Sequence, residues 1–149
     1  MEIPISITDL EMLGRILLSV FLGGLIGYER ELTHKPAGLR THIFVCMGAC
    51  LFTITSFYLM QDENFNLFDP TRIAAGIVTG ISFIGAGSII ASKGDVKGVT
   101  TAASLWVIAS IGLMVGFGIY ILPIIATIIV FLTLHFGRIE KNIIASKKQ

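Results

Sequence analysis

Charge is what this sequence has least of. Only 14% of its 149 residues are Asp, Glu, Lys or Arg, against 54% hydrophobic residues and a further 16 glycines, whereas soluble domains carry about 25% charged residues. A water-facing domain of this size leaves about a third of its surface exposed. The apolar excess therefore excludes an ordinary soluble domain and makes lipid the expected solvent. The formal net charge of +1 gives no electrostatic case for a nucleic-acid partner. Cysteine is scarce: Cys46 and Cys50 sit four apart in an apolar run, about 6 Å apart along one side of a helix. That geometry does not suit a disulfide, so they read as small buried apolar residues, with a redox or metal role as the alternative. His-x-x-x-His pairs, phosphate-cradling Gly-x-x-x-x-Gly-Lys loops and nucleophile elbows are all missing, so the chain is not expected to be an enzyme, and no cofactor or metal site is expected. Weak Mg²⁺ contact through Asp62, Glu63 or Asp69 is the one cation reading the carboxylates allow. The first nine residues hold Glu2 and Asp9 but no Lys or Arg. A cleavable signal sequence needs a basic start, so the first apolar segment is expected to be retained.

What the sequence does have is long hydrophobic runs, at about residues 10–28, 39–60, 71–91, 101–117 and 119–136. Each approaches the roughly 20 residues that cross a 30 Å hydrocarbon layer. Thr8 and Glu11 form a capping-box pattern at the first run, and Glu11 and Arg15 stand one turn apart in the order that favours an ion pair. Gly116, Gly118 and Pro123 divide the last two runs, with Pro123 either in the turn or in the first turn of the fifth helix. The expected fold is an all-α membrane protein, a compact bundle of five transmembrane helices; four crossings with one re-entrant segment is the alternative. Nine of the eleven basic residues (Arg30, Lys35, Arg40, Lys93, Lys97, Arg138, Lys141, Lys147 and Lys148) fall on alternate connections. The positive-inside rule makes those cytoplasmic, with the amino terminus periplasmic and the carboxyl terminus cytoplasmic. One transmembrane domain over residues 1–137 is expected, then a short cytoplasmic tail over 138–149 that lies along the membrane surface or frays, with no soluble domain.

Small residues recur at i,i+4: Gly23 with Gly27, Gly76 with Gly80, and Gly112 with Gly116. Such pairs let helix backbones approach in lipid; packing within the chain is the first reading and a homodimer seam the second. Gly80, Ser82, Gly85 and Gly87 crowd the third run. They suit either tight packing or a helix break whose freed backbone groups serve a site.

The polar residues gather at helix ends. On the outer side Glu11, Arg15, Asp69 and Arg72 form one candidate cluster. Arg15 either snorkels or pairs with Glu11 or Asp69, since an unpaired charge in lipid is costly. Asp69 reads as a helix cap ahead of Pro70, and Arg72 as a partner for an acidic residue. On the cytoplasmic side Glu29, Arg30, Arg40, Thr41 and His42 form the second, where His42 could respond to proton load. Thr100 reads as an N-cap, and Thr101 as a hydroxyl bonded back to a helical carbonyl.

These polar segments carry a resemblance to the MgtC/SapB family. They are Gly23-Gly24-Leu25-Ile26-Gly27-Tyr28-Glu29-Arg30-Glu31, Pro36-Ala37-Gly38-Leu39-Arg40-Thr41-His42, Arg72-Ile73-Ala74-Ala75, Ser82-Phe83-Ile84-Gly85-Ala86-Gly87, and Gly98-Val99-Thr100-Thr101-Ala102-Ala103-Ser104-Leu105-Trp106-Val107, in the family's order. The resemblance implies a bacterial inner-membrane protein linked to magnesium limitation or acid adaptation. It implies action through other membrane proteins rather than catalysis, and it covers the membrane domain alone. The partners expected are the lipid bilayer, other membrane proteins and, as an alternative, a second copy. The competing reading is a small carrier or channel for Mg²⁺, protons or phosphate.

Overall fold

The computed structural model describes residues 9–60, 69, 71–92 and 95–146. It contains five helices and one short hairpin: α1 (Asp9–Leu32), α2 (Leu39–Met60), α3 (Thr71–Gly87), β1 (Ile90–Ser92), β2 (Asp95–Lys97), α4 (Val99–Gly116) and α5 (Ile121–Ser146). The strands pair antiparallel, Ile90 opposite Lys97 and Ser92 opposite Asp95. Thr8, Asp62, Glu63, Pro70 and Lys93, each given a part in the sequence reading, lie outside the described residues, as do the tail side chains beyond Gly137.

Among the described residues three helices, α1, α2 and α4, are long and apolar enough to cross a membrane. The apolar helical segments Thr71–Gly87 and Ile121–Gly137 are shorter. At 1.5 Å per residue, a 17-residue helix such as α3 rises only about 25 Å.

The core is built by α1, α2 and α4. Leu22 and Ile26 of α1, Cys46, Cys50 and Ile54 of α2, and Ile108, Ile111 and Val115 of α4 form one buried cluster. Glycine makes that contact close. A Cβ added at Gly27 would sit 2.8 Å from Leu39 Cα, and one added at Gly23 would sit 2.9 Å from the His42 carbonyl oxygen. Gly112 lies against the Cys46 backbone, and a Cβ at Gly116 would meet Thr53 Cβ at 2.6 Å. These two pairs are thus packing pairs within the chain. Cys46 and Cys50 are free and buried.

Helix α3 stands apart. It packs mainly on α4 and only lightly on α2, and only Ile81 and Gly85 on it are buried. Of the two readings of residues 80–87, tight packing or a helix break, the break is absent. The helix runs unbroken through Gly80 and Ser82 and ends at Gly87, short of the expected residue 91, because the chain turns there into the β1–β2 hairpin. Ser82 returns its hydroxyl to the Val78 carbonyl at 2.8 Å and accepts from the Trp106 indole at 3.3 Å, tying α3 to α4.

Both tight interhelical turns follow one plan. Lys35 N–H donates to the Arg30 carbonyl and His34 N–H to that of Glu31, with His34 at φ 51. Ile119 N–H donates to Met114 and Gly118 N–H to Val115, with Gly118 at φ 79. Each is a left-handed residue closing a helix through paired 6→1 and 5→2 bonds. Pro123 falls in the first turn of α5, where its missing N–H costs nothing.

Candidate functional site

At one end of the bundle Arg15 is buried, 5% exposed. Its Nη2 donates to Glu11 Oε1 at 2.7 Å and its Nη1 to the Gly116 carbonyl at 2.6 Å. Tyr120 adds a 3.4 Å hydrogen bond to the same Glu11 oxygen. The guanidinium therefore neutralises a carboxylate one turn before it and satisfies a carbonyl at the end of α4, where the helix cannot. A Cβ at Gly118 would lie 2.7 Å from Arg15 Nη2 and would displace the guanidinium head, while the backbone angle at φ 79 itself favours glycine. Arg15 does not meet Asp69. Asp69 caps α3, accepting from Thr71 N–H at 2.9 Å and Thr71 Oγ1 at 2.7 Å. The Thr71 donors hold its carboxyl below the ordinary value of 3.8. Asp69 and Arg72 instead line an apolar groove of about 810 Å³ between α2 and α3, whose walls include Phe44, Phe52 and Ile77. Among the described residues no ion pair to Arg72 is present.

At the other end Glu29 and Arg30 are buried at the close of α1, and His42 is fully buried one turn into α2. His42 Nδ1 stands 3.0 Å from the Gly38 carbonyl, and Nε2 stands 3.1 Å from Ser104 Oγ. The carbonyl can only accept, so Nδ1 carries a hydrogen. Ser104 has one proton, which goes either to the Thr101 carbonyl at 2.8 Å or to His42 Nε2. The first arrangement needs a charged imidazole and the second a neutral one. Arg30 reaches Thr101 Oγ1 at 3.4 Å and Glu29 Oε2 at 3.6 Å. Arg40 is exposed and Thr41 half-buried, so the Arg40-Thr41-His42 triplet contributes one member to the buried set.

Helix α4 does not begin as expected. Gly98, at φ 92, is the N-cap, without a side-chain cap. Thr100 is exposed on the first turn, and Thr101 is buried and accepts from Arg30. The sequence reading missed Ser104, which lies three residues from Thr101 on one face of α4. Glu31, named there only as part of the Glu29-Arg30-Glu31 segment, caps α2, its Oε2 accepting from Leu39 N–H at 3.0 Å.

The two polar ends do not join. Arg15 and Arg30 are fifteen residues apart on α1, about 22 Å along the helix, and between them the interior is filled by Leu22, Ile26, Ile108 and Ile111, all 3% exposed or less. The end that holds Arg30 gathers parts of three segments, residues 33–36, residues 96–98 and the stretch of α5 from Thr133 to Gly137, around a polar cavity of about 920 Å³. No group of His, Cys, Asp and Glu suited to holding a metal ion is present among the described residues.

A helical bundle with an apolar middle, exposed apolar side chains and polar clusters at its two ends is the architecture of a multi-pass membrane protein. The chain belongs to the MgtC family, whose model it matches over residues 16–142. That is a non-catalytic, regulatory family of bacterial membrane proteins. It is 44% identical over 129 residues to the Escherichia coli strain K12 protein named "Putative magnesium transporter YhiD", covering 84% of this chain and 60% of that one. It is 43% identical over 115 residues to "Protein MgtC" of Salmonella typhimurium, covering 77% of this chain and 47% of that one. To "Protein MgtC" of Brucella abortus it is 43% identical over 109 residues, covering 73% and 44%. The chain thus spans about half the length of the curated relatives it matches. No solved structure matches it.

Proposed function

We propose that this chain is a regulatory or homeostatic protein of the bacterial inner membrane that serves magnesium limitation or acid adaptation by contact with other membrane proteins. One observation carries the reading: α3 presents Gly76 and Gly80 with nothing among the described residues within 4 Å of an added Cβ, while the glycine pairs of α1 and α4 are consumed by the core. A helix face of small residues is the surface on which another membrane helix packs. All five helices cross the membrane in this reading, with α3 and α5 as short spans. The amino terminus lies outside and the carboxyl terminus inside. The gathering of residues 33–36, residues 96–98 and the Gly137 end of α5 at one pole supports that threading, because alternate connections then share a side.

Transport is the second reading, favoured by the name of the Escherichia coli relative. The sealed interior weighs against it, since a path for a hydrated ion needs polar groups across the span. Flux of Mg²⁺, protons and phosphate into liposomes holding the purified chain separates the two. The regulatory reading expects flux equal to that of empty vesicles, and equal again for Arg72→Ala and His42→Ala. Flux above empty vesicles that either substitution abolishes would overturn it.

A further inference from the structure

The polar cavity at the Arg30 pole holds a charge the fold leaves poorly served. Arg30 is 4% exposed, and its Nε has no hydrogen-bond partner. Its remaining contacts are long, 3.4 Å to Thr101 Oγ1 and 3.6 Å to Glu29 Oε2. The reason lies in the helix. Glu29 and Arg30 are consecutive, and consecutive residues point about 100° apart, so they cannot face each other as residues one turn apart do. Glu29 is 5% exposed, and its Oε2 is likewise without a hydrogen-bond partner. A buried guanidinium offers five donors in a planar fork that matches phosphate or carboxylate, and here that fork is scarcely used. Burial of a charge so sparsely bonded is unfavourable unless something else contacts it.

What surrounds Arg30 has the chemistry of an anion site. Lys35 and Lys97 line the same cavity, as do Val99, Thr100 and Thr101 at the start of α4. That 18-residue helix begins at a glycine with no side-chain cap, so its first-turn N–H groups point where a negative charge is favoured. Three basic side chains, Arg30, Lys35 and Lys97, and a helix start line the cavity beside the Glu29 carboxylate. Glu29 Oε2 stands 3.6 Å from Arg30 Nη1 but accepts no hydrogen bond, so an occupant that donates a hydrogen bond beside its anionic oxygens fits the site best. The cavity lies where α1 ends and α4 begins, the depth of the headgroup layer for helices that span.

We propose that this cavity binds a phosphate group that carries a hydrogen-bond donor next to it, the phosphate held by Arg30, Lys97 and the first turn of α4, and the donor held by Glu29. Phosphatidylethanolamine supplies an ammonium, phosphatidylglycerol a hydroxyl, and inorganic phosphate its own P–OH. Phosphatidylcholine has the phosphate and no donor. The site stands whether or not the chain acts through protein partners, and it requires no transport.

The test uses the full chain purified in detergent. Native mass spectrometry measures retention of added phosphatidylethanolamine, phosphatidylglycerol and phosphatidylcholine; a phosphorus NMR titration measures inorganic phosphate. The expected result is retention of the first two lipids, or phosphate binding, with phosphatidylcholine weaker by about tenfold, as the loss of one charged hydrogen bond implies. Lipid binding without phosphate binding assigns the source to headgroups, and the reverse assigns it to the free anion. Arg30→Gln is expected to weaken the favoured ligand at least about tenfold. Should that variant fail to fold, the Lys35→Gln/Lys97→Gln double variant, altered only at exposed side chains, carries the test with a smaller but measurable loss. Equal retention of all three lipids with no phosphate binding overturns the proposal. So does a favoured ligand held unchanged by the double variant.

Discussion

Three glycine pairs share one spacing in this chain and meet two different fates. Gly23 with Gly27 and Gly112 with Gly116 are pressed against the α2 backbone so closely that a methyl group would displace it. A methyl group added at Gly76 or Gly80 would meet nothing within 4 Å among the described residues. The pattern marks a helix able to approach another and does not say which one, or whether the partner is in the same chain. Helices α1, α2 and α4 satisfy the pattern among themselves and bury the large aliphatic cluster between them. Among the described residues the α3 pair meets no such neighbour, and the helix is attached through Ile81, Gly85 against Ala102, and the Trp106–Ser82 hydrogen bond.

Substitution along the two kinds of helix should break this comparison or sharpen it. The largest effect is expected from Gly27→Leu and Gly112→Leu. Overpacking a fitted interior costs about 1–3 kcal/mol, and more where backbone must move, so little folded chain should be recovered by size-exclusion chromatography. Gly80→Leu should be recovered at the wild-type level. Arg15→Gln comes next. It strips the Gly116 carbonyl and Glu11 of a charged donor, and thermal unfolding in detergent should show a loss of about 2 kcal/mol. Arg72→Gln, at the mouth of the α2–α3 groove, should cost far less in the same assay.

Ser104→Ala should lower stability by about 1 kcal/mol, because it removes a buried hydrogen bond to His42. The smallest effect belongs to Asp69. Its carboxyl titrates below 3.8 in the fold, so its capping of α3 is fully present above the unfolded value and is lost as pH falls through the lower folded one. Asn keeps the accepting oxygen and cannot titrate. Asp69→Asn should therefore leave α3 at neutral pH unchanged and remove the acid-dependent part of its loosening, read by circular dichroism between pH 5 and 2.

Much of this arrangement was legible in the sequence, and the remainder failed for identifiable reasons. The Glu11–Arg15 pair follows from local spacing, and Pro123 and Gly118 from the backbone angles that they allow. The Cys46 and Cys50 burial follows from the apolar run around them. Arg15 meeting the Gly116 carbonyl did not, because it joins residues 101 apart through a backbone atom that no side-chain pattern records. Thr101 and Ser104 looked like ordinary helical hydroxyls. Only the packing of α4 on α1 and α2 makes them partners of Arg30 and His42. The glycine-rich third run was read as a candidate break because glycine weakens helices. The helix persists in spite of this and stops where the hairpin begins. His34 gave no warning of its left-handed backbone, since glycine is the usual residue there.

The proposed partner contact rests on the difference between the packed core and α3, and photo-crosslinking in native membranes tests it most directly. A photoreactive amino acid is placed at Gly76 or Gly80 and, as a control, at Leu17, which is 59% exposed on α1. The account predicts discrete protein adducts from the two α3 positions and lipid adducts alone from Leu17. Lipid adducts alone from all three would contradict it.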